Sequence, residues 1–356
     1  ANNFLPENVT MEKIFDFKNR EFGLACSGEL LLRLSPVNNE LLVQGTLLEK
    51  NIGGAEFNVA TGVSSLGVKS TLITKLPENE LGRYAKRVIN SNGVDSSFIV
   101  DDNSLYKRLA IYFYEYGASP RKPNVTYDRH DSSFQFLEAD ELDKSIYDKC
   151  EIFHTSGISL GLCEKSKQLT KDLIKNFKEK GGLISFDVNF RRNLWGDEQN
   201  ARVEIEKILP SIDILFASEE TFIKMFKETG DLKDIMRRFA EKHDLALIAS
   251  TQRTVNSPKS HNFTSIIYNR KEDKFYFEKP YENIEIVDRI GSGDAYVAGV
   301  LYGILKYNDT EKALKYGNAC GAVKNTIVGD NNCAGANLIE GIIADHEFGS
   351  TSEMNR

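Results

Sequence analysis

The sequence predicts an α/β protein in which helices cover both faces of a mainly parallel sheet and a small β flap lies apart from it. Two observations support this prediction. After about residue 150, short apolar runs alternate with segments of helix length, which is typical of parallel strands joined by crossover helices. Before that point, two strand-rich segments interrupt the alternation.

The alternation predicts strands at about residues 152–157, 183–190, 212–218 and 245–250. The helices expected between them cover residues 163–180, about 198–209, and parts of 219–242. In sheets of this kind a ligand binds beyond the carboxyl ends of the strands, where loops lead into helices. We therefore expect the functional site at that edge.

The two interrupting segments, residues 29–50 and 109–129, are strand-rich and contain no convincing helix. They lack partners in a parallel sheet, so they most simply pair with each other as a flap over its carboxyl edge. Such flaps exclude water from chemistry. A β layer that serves only dimerisation is the alternative.

Composition excludes several classes of function. The net charge of −7 and the absence of a Lys/Arg block argue against a nucleic-acid partner. No apolar run reaches the ~18–20 residues of a membrane span, and the amino-terminal residues lack a secretory layout. Five scattered cysteines and five histidines without ligand spacing argue against a disulfide framework or a zinc site. We expect a cytoplasmic protein that acts on small molecules.

The stretch VDRIGSGDAYVAGVLYGIL, residues 287–305, places Gly291, Ser292 and Gly293 in a turn before a helix, with Asp294 at its start. Consecutive backbone N–H groups at a helix start can hold the oxygens of a transferring phosphoryl group. A carboxylate there would repel phosphate unless it accepted a proton, such as that of a hydroxyl attacking the γ-phosphorus of a nucleotide. An ordinary Asp cap after a glycine turn is the alternative, and spacing alone does not decide between them.

A second glycine turn, Gly53-Gly54, precedes a predicted helix in GGAEFNVATGVSSLG, residues 53–67. Asn58 lies in the first turn of this helix, within reach of a ligand that binds at the glycines. The alternative is that these residues only allow the end of the helix to pack tightly.

Two other nucleotide-binding motifs are incomplete in this sequence. Val68 replaces the lysine of a phosphate loop, and Tyr296 replaces the third glycine of a dinucleotide fingerprint, so a nicotinamide enzyme is disfavoured.

Together, G-G-A-E-x-N-V-A and D-R-x-G-x-G-D-A, about 235 residues apart, resemble the two signatures of the ribokinase-like (phosphofructokinase-B type) carbohydrate kinases. The resemblance implies a ribokinase-like three-layer α/β/α fold with a mainly parallel central sheet and a small β-lid, formed here by residues 29–50 and 109–129. The kinase domain would cover residues 22–345, with residues 1–21 and 346–356 as terminal extensions.

Within the family, the segments CSGELLLRLSP, VTYDR, FDVNFRRNLW, DRIGSGDA and GAVKNTIVGDNN resemble 2-keto-3-deoxygluconate kinases. The resemblance implies ATP and Mg²⁺ as cofactors and assigns roles to residues. Asp294 would be the base, and Gly291, Ser292 and Gly293 would form the anion hole. Contacts to the sugar hydroxyls would come from Gly54, Ala55 and Asn58, and the open-chain keto acid would be held by Tyr112, Tyr127, Arg129 and Arg191.

A physical argument supports the arginines independently. A sugar acid needs cationic partners for its carboxylate, and arginine offers a fixed fork of donors. Arg129 and Arg191 both follow strand-like segments, so both could reach one cleft. The alternative for both arginines is an ordinary solvated position on the surface. The alternative for Tyr112 and Tyr127 is a packing role in the core of the lid.

Several positions depart from the family pattern. Arg289 and Ser292 stand where the commonest signature has Thr and Ala. In ASEET, residues 217–221, Thr221 replaces the Glu associated with Mg²⁺ and phosphate, and the neighbouring Glu219 or Glu220 could compensate. The segment ASTQRTVN, residues 249–256, lacks the glycine usual near the nucleotide. Asn318 is a candidate for lining the adenine side.

The predicted activity is ATP-dependent phosphorylation of the 6-hydroxyl of 2-keto-3-deoxygluconate or a related keto-sugar acid. Two alternatives stay open: a kinase for a neutral sugar or nucleoside, and a non-catalytic sugar-acid-binding protein of the same fold. The sequence also leaves open the nucleotide preference and a dependence on a monovalent cation. The oligomeric state is open as well, although relatives often form homodimers through the lid.

Overall fold

The computed structural model describes residues 12–350, which form fifteen strands and eleven α-helices. The strands are β1 (Phe22–Ser27), β2 (Leu31–Pro36), β3 (Leu48–Gly53), β4 (Ser70–Ile73), β5 (Lys75–Pro77), β6 (Val100–Asp102), β7 (Ala110–Glu115), β8 (Asn124–Asp128), β9 (Cys150–Ser156), β10 (Leu183–Asp187), β11 (Ile214–Phe216), β12 (Leu247–Ser257), β13 (Ser260–Asn269), β14 (Lys274–Phe277) and β15 (Tyr281–Glu285). The helices are α1 (Ala55–Ser65), α2 (Glu80–Ser91), α3 (Gly157–Gly161), α4 (Glu164–Glu179), α5 (Arg192–Trp195), α6 (Glu198–Ile208), α7 (Glu219–Lys224), α8 (Leu232–His243), α9 (Ser292–Tyr307), α10 (Thr310–Lys324) and α11 (Ala336–Phe348).

The central sheet contains six parallel strands in the order β4, β1, β9, β10, β11, β12. Beyond β12 the sheet continues antiparallel, with β13 pairing to β12, β14 and β15. All seven positions of β9 are buried, as expected for a strand covered by helices on both faces. The predicted α/β architecture with a mainly parallel sheet is confirmed.

The predicted helices at 163–180 and 198–209 are observed as α4 and α6 with nearly the same ends. The strand predicted at 245–250 is too short, because β12 begins at Leu247 and runs to Ser257. Its second half is polar and mostly exposed, so no run of apolar residues identifies it as part of a strand. That half is held by antiparallel pairing to β13, which local sequence does not show.

The two strand-rich segments pair with each other, as predicted. Their strands form a separate four-stranded sheet in the order β3, β2, β7, β8, which we call the lid. Strands β2 and β7, far apart in sequence, pair in parallel, whereas the outer pairs are antiparallel. Every residue of β8 is exposed, while Leu31, Tyr112 and Tyr114 are buried on the inner side.

Parts of the predicted terminal extensions pack against the main body. Phe15 is buried, and the backbone N–H groups of Ile14 and Phe15 both donate to the side chain of Asn308 at 3.0 Å. Helix α11 ends at Phe348, beyond the predicted boundary at 345. Residues 1–11 and 351–356 of those extensions lie outside the described residues. Within residues 12–350, no helix has the length and apolar character needed to cross a membrane.

The register of the parallel strands determines where the site forms. Asp187 at the end of β10 lies opposite Ser156 on β9 and Phe216 on β11, so the carboxyl ends of these strands are level. Helices α1 and α9 pack along each other, and the glycine turn that precedes each helix reaches the same edge. The two motifs, distant in sequence, therefore meet at the predicted edge.

Candidate active site

Two adjoining clefts open at the carboxyl edge of the sheet. The lid cleft, about 320 Å³, lies between the lid and the first turns of α1 and α9. The sheet-edge cleft, about 460 Å³, lies over the ends of β10, β11 and β12. Asp187, Asn189, Arg191 and Gly293 line both clefts, so a ligand in one would lie next to a ligand in the other.

The structure brings together nearly all the residues singled out from the sequence, although their chemical roles stay predictions. Eleven of them line the lid cleft: Gly54, Ala55, Asn58, Tyr112, Tyr127, Arg129, Arg191, Gly291, Ser292, Gly293 and Asp294. They come from the second lid segment, residues 109–129, from the two glycine turns and the first turns of the helices that follow them, and from the loop after β10.

The two glycines before α9 are required for different reasons. Gly291 has a φ of 81°, and a Cβ added there would lie 1.9 Å from the carbonyl oxygen of Asp330, so the protein's own packing demands glycine. A Cβ on Gly293 would meet no atom within 4 Å among the described residues. The amide hydrogens of Gly293 and Asp294 also have no acceptor within residues 12–350. The turn thus presents free donors to open space, as in anion sites at helix starts.

Asp294 lies at the floor of the lid cleft beside these amides. Its Oδ2 accepts a hydrogen bond of 2.9 Å from Nδ2 of Asn58. Burial raises the pKa of Asp294 to about 6, while the Asn58 hydrogen bond and the charge of Arg191 act in the opposite direction. A carboxylate with this pKa is ionised at neutral pH and more basic than an exposed one, which suits a general base.

Asn58 belongs to a row of amides. Its Oδ1 accepts from Nδ2 of Asn331 at 2.7 Å, and Oδ1 of Asn331 accepts from Nδ2 of Asn92 at 3.1 Å. These bonds fix the orientation of the Asn58 amide, which in turn holds Asp294. The contact of Asn58 with sugar hydroxyls stays a prediction, and the structure adds a positioning role that the sequence did not show.

The turn before α1 is constrained by packing. Gly54 has a φ of 141°, and a Cβ there would lie 2.3 Å from the carbonyl oxygen of Glu29. Close packing at the start of α1, the alternative that the sequence left open, therefore explains why position 54 is a glycine. Its position in the lid cleft is also compatible with the predicted sugar contact.

The two predicted carboxylate-binding arginines differ in their surroundings. Nη2 of Arg129 lies 2.8 Å from Oε1 of Glu29, and both side chains are largely buried. Arg191 is exposed, and within the described part of the chain its guanidinium makes only a 3.1 Å hydrogen bond to the carbonyl oxygen of Phe190. Within residues 12–350, Arg191 therefore forms no ion pair, although its charge acts on Asp187 and Asp294, whereas Arg129 is paired with Glu29.

The predicted tyrosines lie opposite each other on the neighbouring lid strands β7 and β8. The Tyr112 hydroxyl donates to the carboxylate of Asp330, and the rings of Tyr112 and Tyr127 have centroids 6.0 Å apart. Tyr112 is buried and Tyr127 is exposed. Tyr112 thus contributes its ring to the cleft while its hydroxyl is used within the protein.

A buried charge network beneath the glycine turn was missed. Arg33 of β2 is completely buried and pairs with Asp288 at 2.7 Å and with Asp330 at 3.2 Å. The Nζ of Lys324 donates to the carbonyl oxygens of Asp288 and Ile327 at 3.0 and 2.8 Å. These contacts join the lid to the loops around Gly291. The only signal in the sequence was an arginine within the apolar run ELLLRLSP.

Two acids of the cleft were also missed. Oε1 of Glu56 accepts from the hydroxyls of Ser156 and Ser159, both at 2.7 Å, and burial raises its pKa to about 7. Burial, reinforced by the charge of Asp294, raises the pKa of Asp187 to about 7. Asp187 ends a buried strand, which is the signal that could have identified it. Burial also raises the pKa of Asp330, which lines the same cleft. Four acids with raised pKa values in one cleft are typical of a functional site.

The residues proposed for indirect contact with a metal occupy different positions. Glu220 lines the sheet-edge cleft and Glu219 does not, because neighbouring helix positions point about 100° apart. Oε1 of Glu220 is 2.5 Å from Nζ of Lys224. The Thr221 hydroxyl lies 3.0 Å from the Ser218 hydroxyl that caps α7.

Within residues 12–350, no group of three Asp, Glu, His or Cys residues could enclose a metal ion. Mg²⁺ does not require such a group, because it keeps several waters and binds to one or two carboxylates together with phosphate oxygens. Asp187 and Glu220 both line the sheet-edge cleft. These two carboxylates therefore fit Mg²⁺ that arrives with a nucleotide.

The expectation for Asn318 is not supported by its position. Its side chain is completely buried. Oδ1 accepts from the hydroxyl of Ser265 at 2.6 Å, and Nδ2 donates to Oε1 of Glu278 at 2.9 Å. Both ends of the amide are thus used between α10 and the antiparallel strands, so Asn318 does not present its side chain to a nucleotide.

A family model described as pfkB family carbohydrate kinase matches residues 23–336. The chain belongs to this family. This pfkB kinase is 32% identical over 307 residues to a 2-dehydro-3-deoxygalactonokinase from Haloferax volcanii, which covers 86% of this chain and 92% of the relative. It is 30% identical over 310 residues to the probable fructokinase-6, chloroplastic, of Arabidopsis thaliana, covering 84% and 76%.

A solved structure, the 2-dehydro-3-deoxygluconokinase from Thermotoga maritima, superposes on this pfkB kinase with a TM-score of 0.86 and 29% identity. The match covers 91% of this chain and 98% of that chain. The chain is thus a sugar kinase with the ribokinase-like three-layer fold that the two sequence signatures predicted.

Proposed function

We propose that this pfkB kinase transfers the γ-phosphoryl group of ATP to the 6-hydroxyl of 2-keto-3-deoxygluconate or a related keto-sugar acid. The observation that carries the proposal is the guanidinium of Arg191, which forms no ion pair within residues 12–350 and lies in the same cleft as Asp294 and the free amides of α9. A neutral sugar has no charged group that could pair with this guanidinium, whereas the carboxylate of a sugar acid would form a strong ion pair with it. The names of the galactonate- and gluconate-type relatives support the same substrate class.

In the proposed reaction, the acceptor lies in the lid cleft with its carboxylate toward Arg191 and its 6-hydroxyl toward Asp294. Asp294 accepts the hydroxyl proton as the oxygen attacks the γ-phosphorus. The new oxygen–phosphorus bond forms while the bond from the γ-phosphorus to the β,γ-bridging oxygen breaks. That oxygen leaves with the electron pair as part of ADP, and the amides of Gly293 and Asp294 hold the phosphoryl oxygens.

Mg²⁺ bound with the nucleotide would neutralise phosphate charge. Asp187 and Glu220 are the residues proposed to hold the metal ion. The lid would exclude water, so that the phosphoryl group reaches the sugar rather than solvent. The remaining work is positioning, which in phosphoryl transfer supplies most of the rate enhancement together with electrostatics.

We propose no requirement for a monovalent cation. Beneath the glycine turn, the ammonium of Lys324 already binds the carbonyl oxygens of Asp288 and Ile327, and Arg33 neutralises the nearby carboxylates. Equal rates in potassium and tetramethylammonium chloride at one ionic strength would agree with this proposal, and strong activation by potassium would contradict it.

A kinase for a neutral sugar is the second candidate. Two observations favour it: the charge of Arg129 is balanced by Glu29, and relatives of similar identity are named fructokinases. A binding protein without catalysis is less well supported, because Asp294 and the free amides of α9 are both in place.

A panel of acceptors assayed with ATP and Mg²⁺ tests the proposal. The panel contains 2-keto-3-deoxygluconate, its galacto epimer, fructose, ribose and adenosine. We expect kcat/KM to be at least about 100-fold higher for one of the keto-sugar acids than for any neutral acceptor, which is ~2.7 kcal/mol of discrimination. A preference for fructose or adenosine would replace the proposal by the second candidate. Binding of a sugar acid without ATP consumption would show a non-catalytic role.

A further inference from the structure

Two arginines without a role in this mechanism lie beside the glycine turn of α9. Arg253 lies on the part of β12 that extends beyond the parallel sheet, and Arg289 lies two residues before Gly291. Both line the lid cleft. Nη2 of Arg253 donates a 2.6 Å hydrogen bond to Oγ of Ser292, which fixes its guanidinium beside the first residue of α9.

The protein does not neutralise either guanidinium. Within residues 12–350, neither Arg253 nor Arg289 forms an ion pair with a carboxylate, unlike Arg129 in the same cleft, which lies 2.8 Å from Glu29. Desolvation by the surrounding protein and the charge of Arg289 lower the pKa of Arg253 to about 10, although the residue as a whole is exposed. Two like charges are therefore held near each other at an electrostatic cost that an anionic ligand would remove.

The neighbouring His261 adds no charge to the arginine pair. It is only 1% exposed, and neither ring nitrogen has a hydrogen-bond partner among the described residues. Burial and the charges of both arginines lower the pKa of His261 to about 4, so the ring is neutral at physiological pH. The arginine pair thus faces the cleft with its full charge.

We propose that Arg253 and Arg289 bind the terminal phosphates of the nucleotide's polyphosphate chain and neutralise charge on the phosphoryl group during transfer. This inference rests on the proposed function. Arg253 is attached to Ser292, and the next two residues carry the free amides at which the phosphoryl oxygens are proposed to bind. The planar fork of an arginine matches phosphate oxygens in pairs.

The chemistry of transfer explains the need for these arginines. As the γ-phosphorus moves from the bridging oxygen of ATP to the 6-oxygen of the acceptor, negative charge grows on the departing oxygen that becomes part of ADP. Of the three carboxylates among the described residues that line the sheet-edge cleft, Glu198 pairs with Arg192 and Glu220 with Lys224, which leaves Asp187 without such a partner. Thr221 also stands where the family pattern has Glu. Arginines in such a position contribute about 10³–10⁵ to kcat in other phosphoryl-transfer enzymes.

Binding of inorganic tripolyphosphate to the full chain, measured by titration calorimetry, tests the inference without any acceptor. We expect Arg253→Gln and Arg289→Gln each to weaken binding by about tenfold or more, and Arg253→Lys to recover part of the loss. Arg83→Gln is the matched control, because Arg83 is exposed on α2 and pairs only with Glu80. It should change the affinity less than about twofold, since the exposed charge lies on another helix. Thermal unfolding midpoints show whether each variant is folded.

Steady-state kinetics separate phosphate binding from carboxylate binding. The two Gln variants should raise KM for ATP or lower kcat by about 100-fold, with KM for the sugar acid changed less than about threefold. If the wild type phosphorylates no acceptor, the proposed function fails, while the tripolyphosphate titration still decides the arginine site. The inference is overturned if the wild type does not bind tripolyphosphate, if both variants bind it like the wild type, or if they lose affinity only for the sugar acid.

Discussion

The side-chain amide of Asn58 donates a 2.9 Å hydrogen bond to the carboxylate of Asp294, although 236 positions separate the two residues. The bond joins the first turn of α1 to the first turn of α9, so the two glycine motifs form one site. It also lowers the pKa of Asp294, against the burial that raises it. Asn58 therefore influences both the orientation and the basicity of the proposed catalytic carboxylate.

Replacing the proposed base should separate binding from chemistry. We expect Asp294→Asn to bind ATP and the sugar acid with nearly wild-type affinity, because the amide has the same shape as the carboxylate. Its kcat should fall by about 10³-fold or more, since an amide cannot accept the hydroxyl proton. Calorimetric titration and single-turnover assays measure the two effects. An Asp294→Asn variant with substantial turnover would remove Asp294 from the role of base.

The pH dependence of catalysis should report the same carboxylate. Because the ionised form of Asp294 is the active one, kcat/KM should rise with pH up to about 6 and level off above it. In Asn58→Ala, loss of a hydrogen bond that favours the ionised form should move this limb to higher pH. A limb that does not move would mean that another group controls the profile.

The two glycines before α9 should respond differently to alanine. Because a Cβ on Gly293 meets open space, Gly293→Ala should leave the free energy of unfolding unchanged or raise it by about 0.5–1 kcal/mol. The same methyl group should block phosphate from the amides and lower kcat/KM by about 100-fold or more. Chemical denaturation and initial rates measure the two properties.

Gly291→Ala is the paired control for this experiment. Its positive φ and its close approach to Asp330 predict a clear loss of stability, in addition to any loss of activity. A fully active Gly293→Ala enzyme would mean that no ligand approaches the turn.

The cleft arginines should discriminate between acceptors. We expect Arg191→Ala to raise KM for the keto-sugar acid by about tenfold or more while changing KM for a neutral sugar little, because only the acid has a carboxylate to lose a partner. Arg129→Ala should have the same selectivity and should also lower the free energy of unfolding by about 3 kcal/mol, since it leaves Glu29 buried without its partner.

The double variant Arg129→Ala with Glu29→Gln separates these two effects. It should recover much of the stability without recovering affinity for the acid. Equal rises in KM for acidic and neutral acceptors would assign both arginines to structural roles.

The outer surface of the lid is a proposed homodimer interface. The loop between β2 and β3 exposes Val43 and Leu47, which are 93% and 67% accessible, and Leu48 at the start of β3 is 44% accessible. Apolar side chains clustered on a surface in this way are typical of contact sites. We expect the wild type to be a dimer by light scattering after gel filtration, and Val43→Asp with Leu47→Asp to be a monomer. A monomeric wild type at micromolar concentration would reject the lid interface.

The departures from prediction share a physical cause. The partner of Arg129 is Glu29, 100 positions away, and the partner of Tyr112 is Asp330, 218 positions away. Asn318 sits on a helix that local pattern identifies well, yet the neighbours that enclose its amide come from β13 and residue 278. Which polar group meets which depends on how the elements are arranged, and that arrangement is not encoded in any single segment.

The sequence by itself determined the alternation of strands and helices, the separate lid segments, and the two glycine turns with Asn58 and Asp294, because periodicity and turn chemistry are local properties. Tertiary structure alone decided which arginines form ion pairs, which glycine faces open space, and how burial raises the pKa values of Asp294, Asp187 and Glu56. These properties depend on desolvation and on charges brought together by folding, and both arise only when distant segments meet.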